Sequence, residues 1–433
     1  MQNFIGGIHP NYSKLTEKEE IKVMNTPKKV VIPLSMHIGA PCKAIVDVGD
    51  RVKVGQKIGE AEGFVSAPIH SSISGTVRLI KDMPHPLGTT VSSVVIESDD
   101  ANEWVESVKA RNNVDHFSKD ELNKIVQESG IVGLGGAAFP THVKLSVKDK
   151  KIDTVILNGA ECEPYLTADH SLMAKEYEKI IKGLKLIMKI VGASKGIIGV
   201  EDNKSDVIQT MADRAKVIQG DISVVSLKTL YPQGAEKMLI YSLLGRKVPP
   251  RGLPLDVNVV VNNVGTAKAV YDAVYEGKPL IERVVTVTGV VREPKNLLVK
   301  IGTLFDDVIK ECGGAREGVK KIISGGPMMG ISQKTALVPV VKGTSGILLL
   351  DKITVDEKLT CIRCSRCVDV CPMFLLPTTI AQHADKELYD LAESYNAVDC
   401  FECGCCAYVC PSKIPLVEMI KKGKMEIMKR AKK

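Results

Sequence analysis

At 433 residues, 44% of them hydrophobic and 25% charged, the chain is long enough for three or four cores. It has no apolar run of about eighteen residues and no secretory leader, so it is expected to stay inside the cell and not to span a membrane itself. Aromatics at 4% and the lack of a basic stripe outside the C-terminal tail leave little basis for nucleic-acid binding.

Residues 1–30 read as an irregular N-terminal segment that opens on FIGGIHP. From Val31 to Ser98, short β-rich runs alternate with glycine turns, VGDRVKVGQKIGEAEGF and then SAPIHSSISGTVRLI. This pattern resembles the barrel-sandwich fold of biotinyl and lipoyl domains. The carrier lysine is missing, because the hairpin position reads Glu60-Ala61-Glu62-Gly63-Phe64. Residues 31–98 are therefore expected to be structural.

Residues 115–280 form an α/β portion. A helix, KDELNKIVQESG, runs into the loop Gly133-Leu134-Gly135-Gly136-Ala137-Ala138-Phe139-Pro140, and a strand, TVILNGA, runs into Glu161-Cys162-Glu163-Pro164. The GxGxxA spacing follows a helix, whereas a dinucleotide fingerprint follows a strand and opens a helix. What survives is a glycine-rich turn whose N–H groups can approach a phosphate, with Lys144 as counter-charge. A helix cap alone would need only Gly130 and leave Gly133, Gly135 and Gly136 without a purpose.

Residues 281–350 read as a β-grasp unit of the soluble-ligand-binding type. Its hairpin is VVTVTGVVREPKNLLVKIG, and its helix is opened by Thr303 with Asp306 at capping-box spacing and closed by Gly313. No chemistry is visible there, and the unit is expected to act as a spacer.

Residues 351–415 carry two copies of one spacing, Cys361-x2-Cys364-x2-Cys367-x3-Cys371-Pro372 and Cys400-x2-Cys403-x2-Cys406-x3-Cys410-Pro411. This is the run of a two-cluster ferredoxin, in which the fourth cysteine of each run ligates the other cluster. Cys361, Cys364, Cys367 and Cys410 are thus assigned to one 4Fe-4S cluster, and Cys400, Cys403, Cys406 and Cys371 to the second. Zinc also accepts paired CxxC runs, but a zinc ribbon has no use for the third cysteine or the CP ending. Leu388, Leu391, Tyr395 and Val398 recur at helical intervals between the runs, which predicts a helical ferredoxin. Cys405 is out of register and reads as a bystander; Cys42, Cys162 and Cys312 read as isolated buried thiols, and a reducing compartment follows. Nearly all of the net charge of +7 sits in residues 412–433, eight Lys or Arg against two Glu. Leu416, Val417, Met419, Ile420, Ile427 and Met428 give this tail, 416–433, an apolar side, so it reads as a basic amphipathic helix for a membrane or partner, or as a frayed terminus weakened by Gly423.

GLGGAAFPTHVK, NGAECEPY, YPQGAEK at Tyr231–Lys237 and VVNNVGT at Val260–Thr266 look like the FMN and NADH loops of the flavoprotein subunit of respiratory complex I. With the GGIHP start and both cysteine runs, the whole chain resembles the C-subunit family of the Rnf complex, a ferredoxin:NAD oxidoreductase that pumps ions. The implied fold is multidomain α/β and α+β: a barrel-sandwich domain, a complex-I-like flavoprotein domain, a β-grasp domain and a helical two-cluster ferredoxin domain. The resemblance implies noncovalent FMN held by Gly133, Gly135, Gly136, Lys144, Asn158, Glu161, Tyr231, Gly234, Asn262, Asn263 and Thr266. It implies NAD(H) as substrate beside Phe139, Glu163 and Glu236. One departure from the complex I pattern is Ala138, which replaces a glycine and adds a methyl near the flavin.

No acid, base or nucleophile is needed, since redox cofactors carry the chemistry. The implied partners are integral membrane and ferredoxin-like subunits of the same complex, with ferredoxin itself acting indirectly, and the implied place is the cytoplasmic face of the cell membrane. An NADH-dependent cobalamin reductase of a bacterial microcompartment shares these loops and runs. A flavin-free electron relay or scaffold is the third reading.

Overall fold

The structure, a computed structural model, describes residues 3–147, 150–218, 220–353 and 357–431. Lys432 and Lys433 of the basic tail, residues 1–2 of the N-terminal segment and 354–356 of the ferredoxin segment lie outside the described residues.

The barrel-sandwich unit closes two antiparallel sheets on each other. One runs in the order Lys29–Pro33, Thr90–Ser98, Gly75–Pro84, Arg51–Val52; the other runs Cys42–Ala44, Lys57–Ala61, Ile69–His70. Val30, Ile32, Ile58, Ile69, Val77 and Ile96 fill the space between and are fully buried, as period-two alternation requires of a sheet with one wet face.

The flavoprotein unit is built on four parallel strands, Thr154–Gly159, Lys195–Glu201, Asp221–Leu227 and Val259–Asn263. In space they run third, second, first, fourth. Val155, Leu157, Ile198, Val200 and Val260 face helices Ala168–Val191 and Val264–Tyr271, while Ile156, Ile197, Val259 and Val261 face helix Glu236–Leu244. Coverage on both faces accounts for the near-continuous apolar runs of these strands. The order reverses between the first and fourth strands, so a crevice opens beyond their carboxyl ends, where Asn263 lies in register with Asn158.

The N-terminal segment is not irregular throughout. Ile21–Val23 forms an edge strand parallel to Lys295–Lys300 and so completes the six-stranded β-grasp sheet. The β-grasp helix begins at Phe305, with Leu304 and not Thr303 at its N-cap, and has no capping box. The Thr303 hydroxyl instead donates to the Lys300 carbonyl at 2.7 Å.

The cysteine runs are joined by helices Pro377–Asp385 and Tyr389–Ser394, as predicted, but the buried face differs. Ile380, Ala381, Ala384, Tyr389 and Ala392 make the core, whereas Leu388, Leu391 and Tyr395 are exposed. Small residues face inward because a third helix, Leu416–Arg430, packs closely here. That helix is the basic tail, and its apolar side is already used: Leu416, Ile420 and Ile427 are buried in the ferredoxin core. Over residues 416–430 the tail is therefore a helix packed on the ferredoxin core and not a free amphipathic face. Among the described residues no helix is long and apolar enough to cross a membrane.

Gly423 is the contact point of this packing, not a flaw in the helix. A Cβ there would lie 2.6 Å from the Ala384 Cβ. Gly423→Val must push the tail helix off its seat, at a cost of about 1–3 kcal/mol. The variant is expected to release iron at a lower temperature than the wild type in a thermal ramp followed by visible absorbance. An unchanged midpoint would mean that the tail does not support the ferredoxin unit.

Candidate functional site

Four loops meet at the crevice. The glycine loop, which enters from helix Lys119–Glu128, closes on itself through the Gly133 N–H to the Phe139 carbonyl at 2.9 Å. The Leu134 N–H donates to the buried Thr266 hydroxyl at 2.9 Å and pins the loop to helix Val264–Tyr271. Gly135 and Gly136 are left exposed, and their N–H groups meet no acceptor among the described residues. Gly136 has φ +103°, and a Cβ there would have nothing within 4 Å, so it borders open space. A left-handed glycine with free amides beside an open crevice suits an anion. The Ala138 methyl does not intrude on that space; it is buried toward Gly343.

The strand ends carry the asparagines, and the structure divides their roles. Asn262 is buried and its Nδ2 has no acceptor in the protein, an orphaned donor that a bound ligand would satisfy. Asn263 caps helix Val264–Tyr271 through the Gly265 N–H at 2.8 Å and donates to Asp169 at 2.6 Å. Asn158 bridges loops, donating to the Gly234 carbonyl at 2.8 Å and accepting from the Ala160 N–H at 3.2 Å.

The acidic set is placed less simply than the sequence suggests. Glu161 accepts from the N–H groups of Asp169 at 2.7 Å and His170 at 3.1 Å, which caps helix Ala168–Val191. Glu163 accepts from the N–H groups of Met328 and Met329 at 3.1 and 2.7 Å, and burial pushes its pKa up to about 7. It ties the ECEP loop to a β-grasp loop, so the β-grasp unit is more than a spacer. Lys144 and Glu236 pair with each other at 2.9 Å, and Lys144 also donates to the Val261 carbonyl. Phe139 is half-buried in the glycine loop.

Tyr231 is buried, and its hydroxyl points away from the crevice to donate to the Cys403 carbonyl at 2.7 Å. Ile8 pairs with Tyr231, and the Gly7 N–H donates to the Val370 carbonyl at 2.9 Å, so the GGIHP segment threads between the two units. Cys162 is not isolated: with Cys403 and Met328 it packs against Ile8, Tyr231 and Cys405 in one apolar cluster. It also accepts from the Gly234 N–H at 3.3 Å. Cys405 belongs to the same junction.

The cysteine runs interleave in space. Burial and the charges of Cys403 and Cys371 both act on Cys400, whose pKa is pushed up to about 11. Cys406 is raised by burial and by Cys400, Cys403 and Cys371. Cys371, Cys400 and Cys406 each feel the charge of Cys403, and none of the four is in a disulphide, a donor set that a cationic iron-sulphur core stabilises. For the other set, the Ser412 hydroxyl donates to the Thr360 carbonyl at 3.0 Å and the Leu359 N–H donates to the Ser412 carbonyl, which brings the Cys410 turn beside Cys361. Cys364 is exposed.

Buried cations hold these loops, and sequence reasoning missed all of them. Lys14 donates to the carbonyls of Glu161 and Leu166 at 2.6 and 2.7 Å, and Lys204 to that of Ala160 at 2.7 Å. Lys342 reaches the Gly130 and Pro68 carbonyls, and burial lowers its pKa to about 8. Arg283 donates to the Lys342 carbonyl, and burial holds it down to about 10. A lysine in sequence looks like solvated surface, and no local pattern marks these.

Comparison with known proteins matches the Nuo51 FMN-binding domain over residues 126–272 and the RnfC barrel sandwich hybrid domain over 2–101. An SLBB domain matches 284–332 and a 4Fe-4S dicluster domain 360–414. The C subunit of the Na+-translocating ferredoxin:NAD+ oxidoreductase complex of Acetobacterium woodii is 49% identical, covering 99% of this chain and 98% of its own. The chain belongs to the family of Rnf complex C subunits.

The C subunit of the proton-translocating complex of Clostridium ljungdahlii is also 49% identical, over 92% of this chain and 88% of its own. The C subunit of the ion-translocating complex of Rhodobacter capsulatus is 41% identical over 86% and 73%. An NAD+-reducing [NiFe]-hydrogenase shares the fold with a TM-score of 0.50 at 21% identity, over 65% of this chain and 54% of its own. The FMN-binding and dicluster domains account for FMN and two 4Fe-4S clusters as the cofactors of this chain. The full-length match favours this family over the cobalamin reductase, and the FMN-binding domain sets the flavin-free relay aside.

Cys371→Ala tests the crossing. On anaerobic alkylation and peptide mapping, Cys400, Cys403 and Cys406 are expected to become reactive and about four irons to be lost, while Cys361, Cys364, Cys367 and Cys410 stay protected. Exposure of the first run instead would contradict the assignment.

Proposed function

We propose that this chain is the peripheral NAD(H)-reacting subunit of a membrane electron-transfer complex. It carries electrons between two 4Fe-4S clusters, FMN and NAD, and partner subunits couple that flow to ion translocation. The observation that carries the reading is the junction at Tyr231 and Cys403, where the loop of one cysteine set abuts a loop of the flavoprotein unit. Bound flavin supplies the exchange between a two-electron hydride step with nicotinamide and single-electron steps with iron-sulphur centres.

The chain's own residues bind and orient. Gly135 and Gly136 present free amides to the flavin phosphate, and the Asn262 amide offers its unpaired donor to the polar edge of the ring. The Lys144–Glu236 pair stands at the mouth, where it can open toward phosphate or ribose. Phe139 offers a ring face to the nucleotide. Asn158, Asn263, Thr266, Glu161, Glu163, Tyr231 and Gly234 act one step back, holding loops and helix ends in place through the hydrogen bonds described above. Partners belong at the exposed Cys364 side, since the other cysteine set abuts the flavoprotein unit at Tyr231, and integral and ferredoxin-like subunits at the cytoplasmic face of the membrane fit that geometry. Relatives equally similar to this chain carry names with different ions, which supports placing ion choice in the partners.

Purified anaerobically, the chain is expected to hold about one FMN and about eight irons. It should oxidise NADH with ferricyanide, yet reduce NAD+ from reduced ferredoxin only when its membranes are added back. Gly136→Val, which forces a branched side chain into a left-handed position at the phosphate cradle, is expected to keep the iron and lose flavin and NADH oxidation together. Full flavin in that variant would overturn the site. Ferredoxin-driven NAD+ reduction without membranes would overturn the subunit role.

A further inference from the structure

The two cysteine loops are near-copies in backbone. Arg363 and Glu402 each stand two residues after the first cysteine of a run, with φ 54° and 64°. Each donates its N–H to that cysteine's Sγ at 3.4 Å. The charges around the copies differ. At the second, Lys424 reaches across from helix Leu416–Arg430, and its Nζ donates to the Cys400 carbonyl at 2.6 Å and to Glu402 Oε1 at 3.1 Å. Lys421 adds a longer contact to Glu402 at 3.7 Å. At the first, Arg363 stands where the second has Glu402, and it is exposed.

Lys424 is held in this position by the fold. Gly423, its neighbour, is wedged against Ala384, and Ile420 and Ile427 anchor the same helix in the core. Its side chain is only 20% exposed, so water screens the charge incompletely.

We propose that Lys424 is a positioning residue that raises the reduction potential of the cluster held by Cys371, Cys400, Cys403 and Cys406, with Glu402 setting how much of the lysine charge that cluster feels. This rests on reading the eight cysteines as two cluster sites. One-electron reduction adds one negative charge to the cluster and its thiolates and breaks no bond, the electron coming from NADH through the flavin or from a reduced iron-sulphur partner. A fixed cation favours that more negative state, and a fixed carboxylate opposes it. The affected cluster is the one beside Tyr231, so the effect falls on the centre at the junction with the flavoprotein unit.

The test is a redox titration of the full-length, anaerobically purified protein, followed by electron paramagnetic resonance. The affected cluster is identified as the one whose signal is missing in Cys371→Ala. Lys424→Gln is expected to lower its potential, Lys424→Arg to keep it near the wild-type value, and Glu402→Gln to raise it, with the other cluster unmoved in all three. Opposite signs from two neighbouring substitutions are not produced by general loosening. If Lys424→Gln and Glu402→Gln move the potential in the same direction, move both clusters alike or move neither, while both signals remain, the proposal is wrong and the two-cluster reading stands. If the wild-type protein shows fewer than two clusters, both fall together.

Discussion

One part-buried hydrogen bond, from the Tyr231 hydroxyl to the Cys403 carbonyl, marks the constraint on which the structure turns. Two units of different fold must hold their redox centres at a fixed separation, and neither fold does this alone. The junction is completed by the N-terminal strap through Gly7 and Ile8, and by an apolar cluster that includes Cys162, Met328, Cys403 and Cys405. Glu163 links the same region to the β-grasp loop. A single buried hydrogen bond is worth about 1 kcal/mol. Its value here lies in fixing register between packed surfaces more than in stability.

A second constraint follows from the first. Loops that must leave amides free for a ligand cannot use those amides to hold themselves, so their carbonyls are held from behind. Lys14, Lys204, Lys342 and Arg283 do this from buried positions. Burying a cation is costly unless it is hydrogen-bonded, and each has found carbonyl acceptors. Lys204 also has the Glu201 carboxylate at 3.2 Å. These cations thus hold the loop backbone from beneath.

Much of this was legible in the chain. The cysteine spacing gives ligand identity because a cube needs thiolates at short, fixed intervals, and that signal survives without any knowledge of the fold. The glycine loop was legible because glycine readily takes left-handed turns, and Gly136 adopts φ +103°. The roles of Glu161, Glu163 and Tyr231 were not legible. Their partners, Asp169 and His170, Met328 and Met329, and Cys403, are set by tertiary approach, and a polar residue in a loop reads alike whether it caps a helix or meets a ligand. The tail misled because an amphipathic pattern says that a face is covered without saying by what. Ile420 and Ile427 are covered by this chain's own helices. Leu388 and Leu391 misled in the opposite sense, since small residues such as Ala381 and Ala384 allow the close helix packing that excludes them.

The claim that the flavoprotein unit and the second cysteine set work as one assembly through the Tyr231 junction is most directly tested by stopped-flow mixing of NADH with Tyr231→Phe, following flavin and iron-sulphur bleaching separately. The account predicts flavin bleaching at the wild-type rate and iron-sulphur bleaching slowed severalfold, with full cofactor content. Iron-sulphur bleaching at the wild-type rate would contradict it.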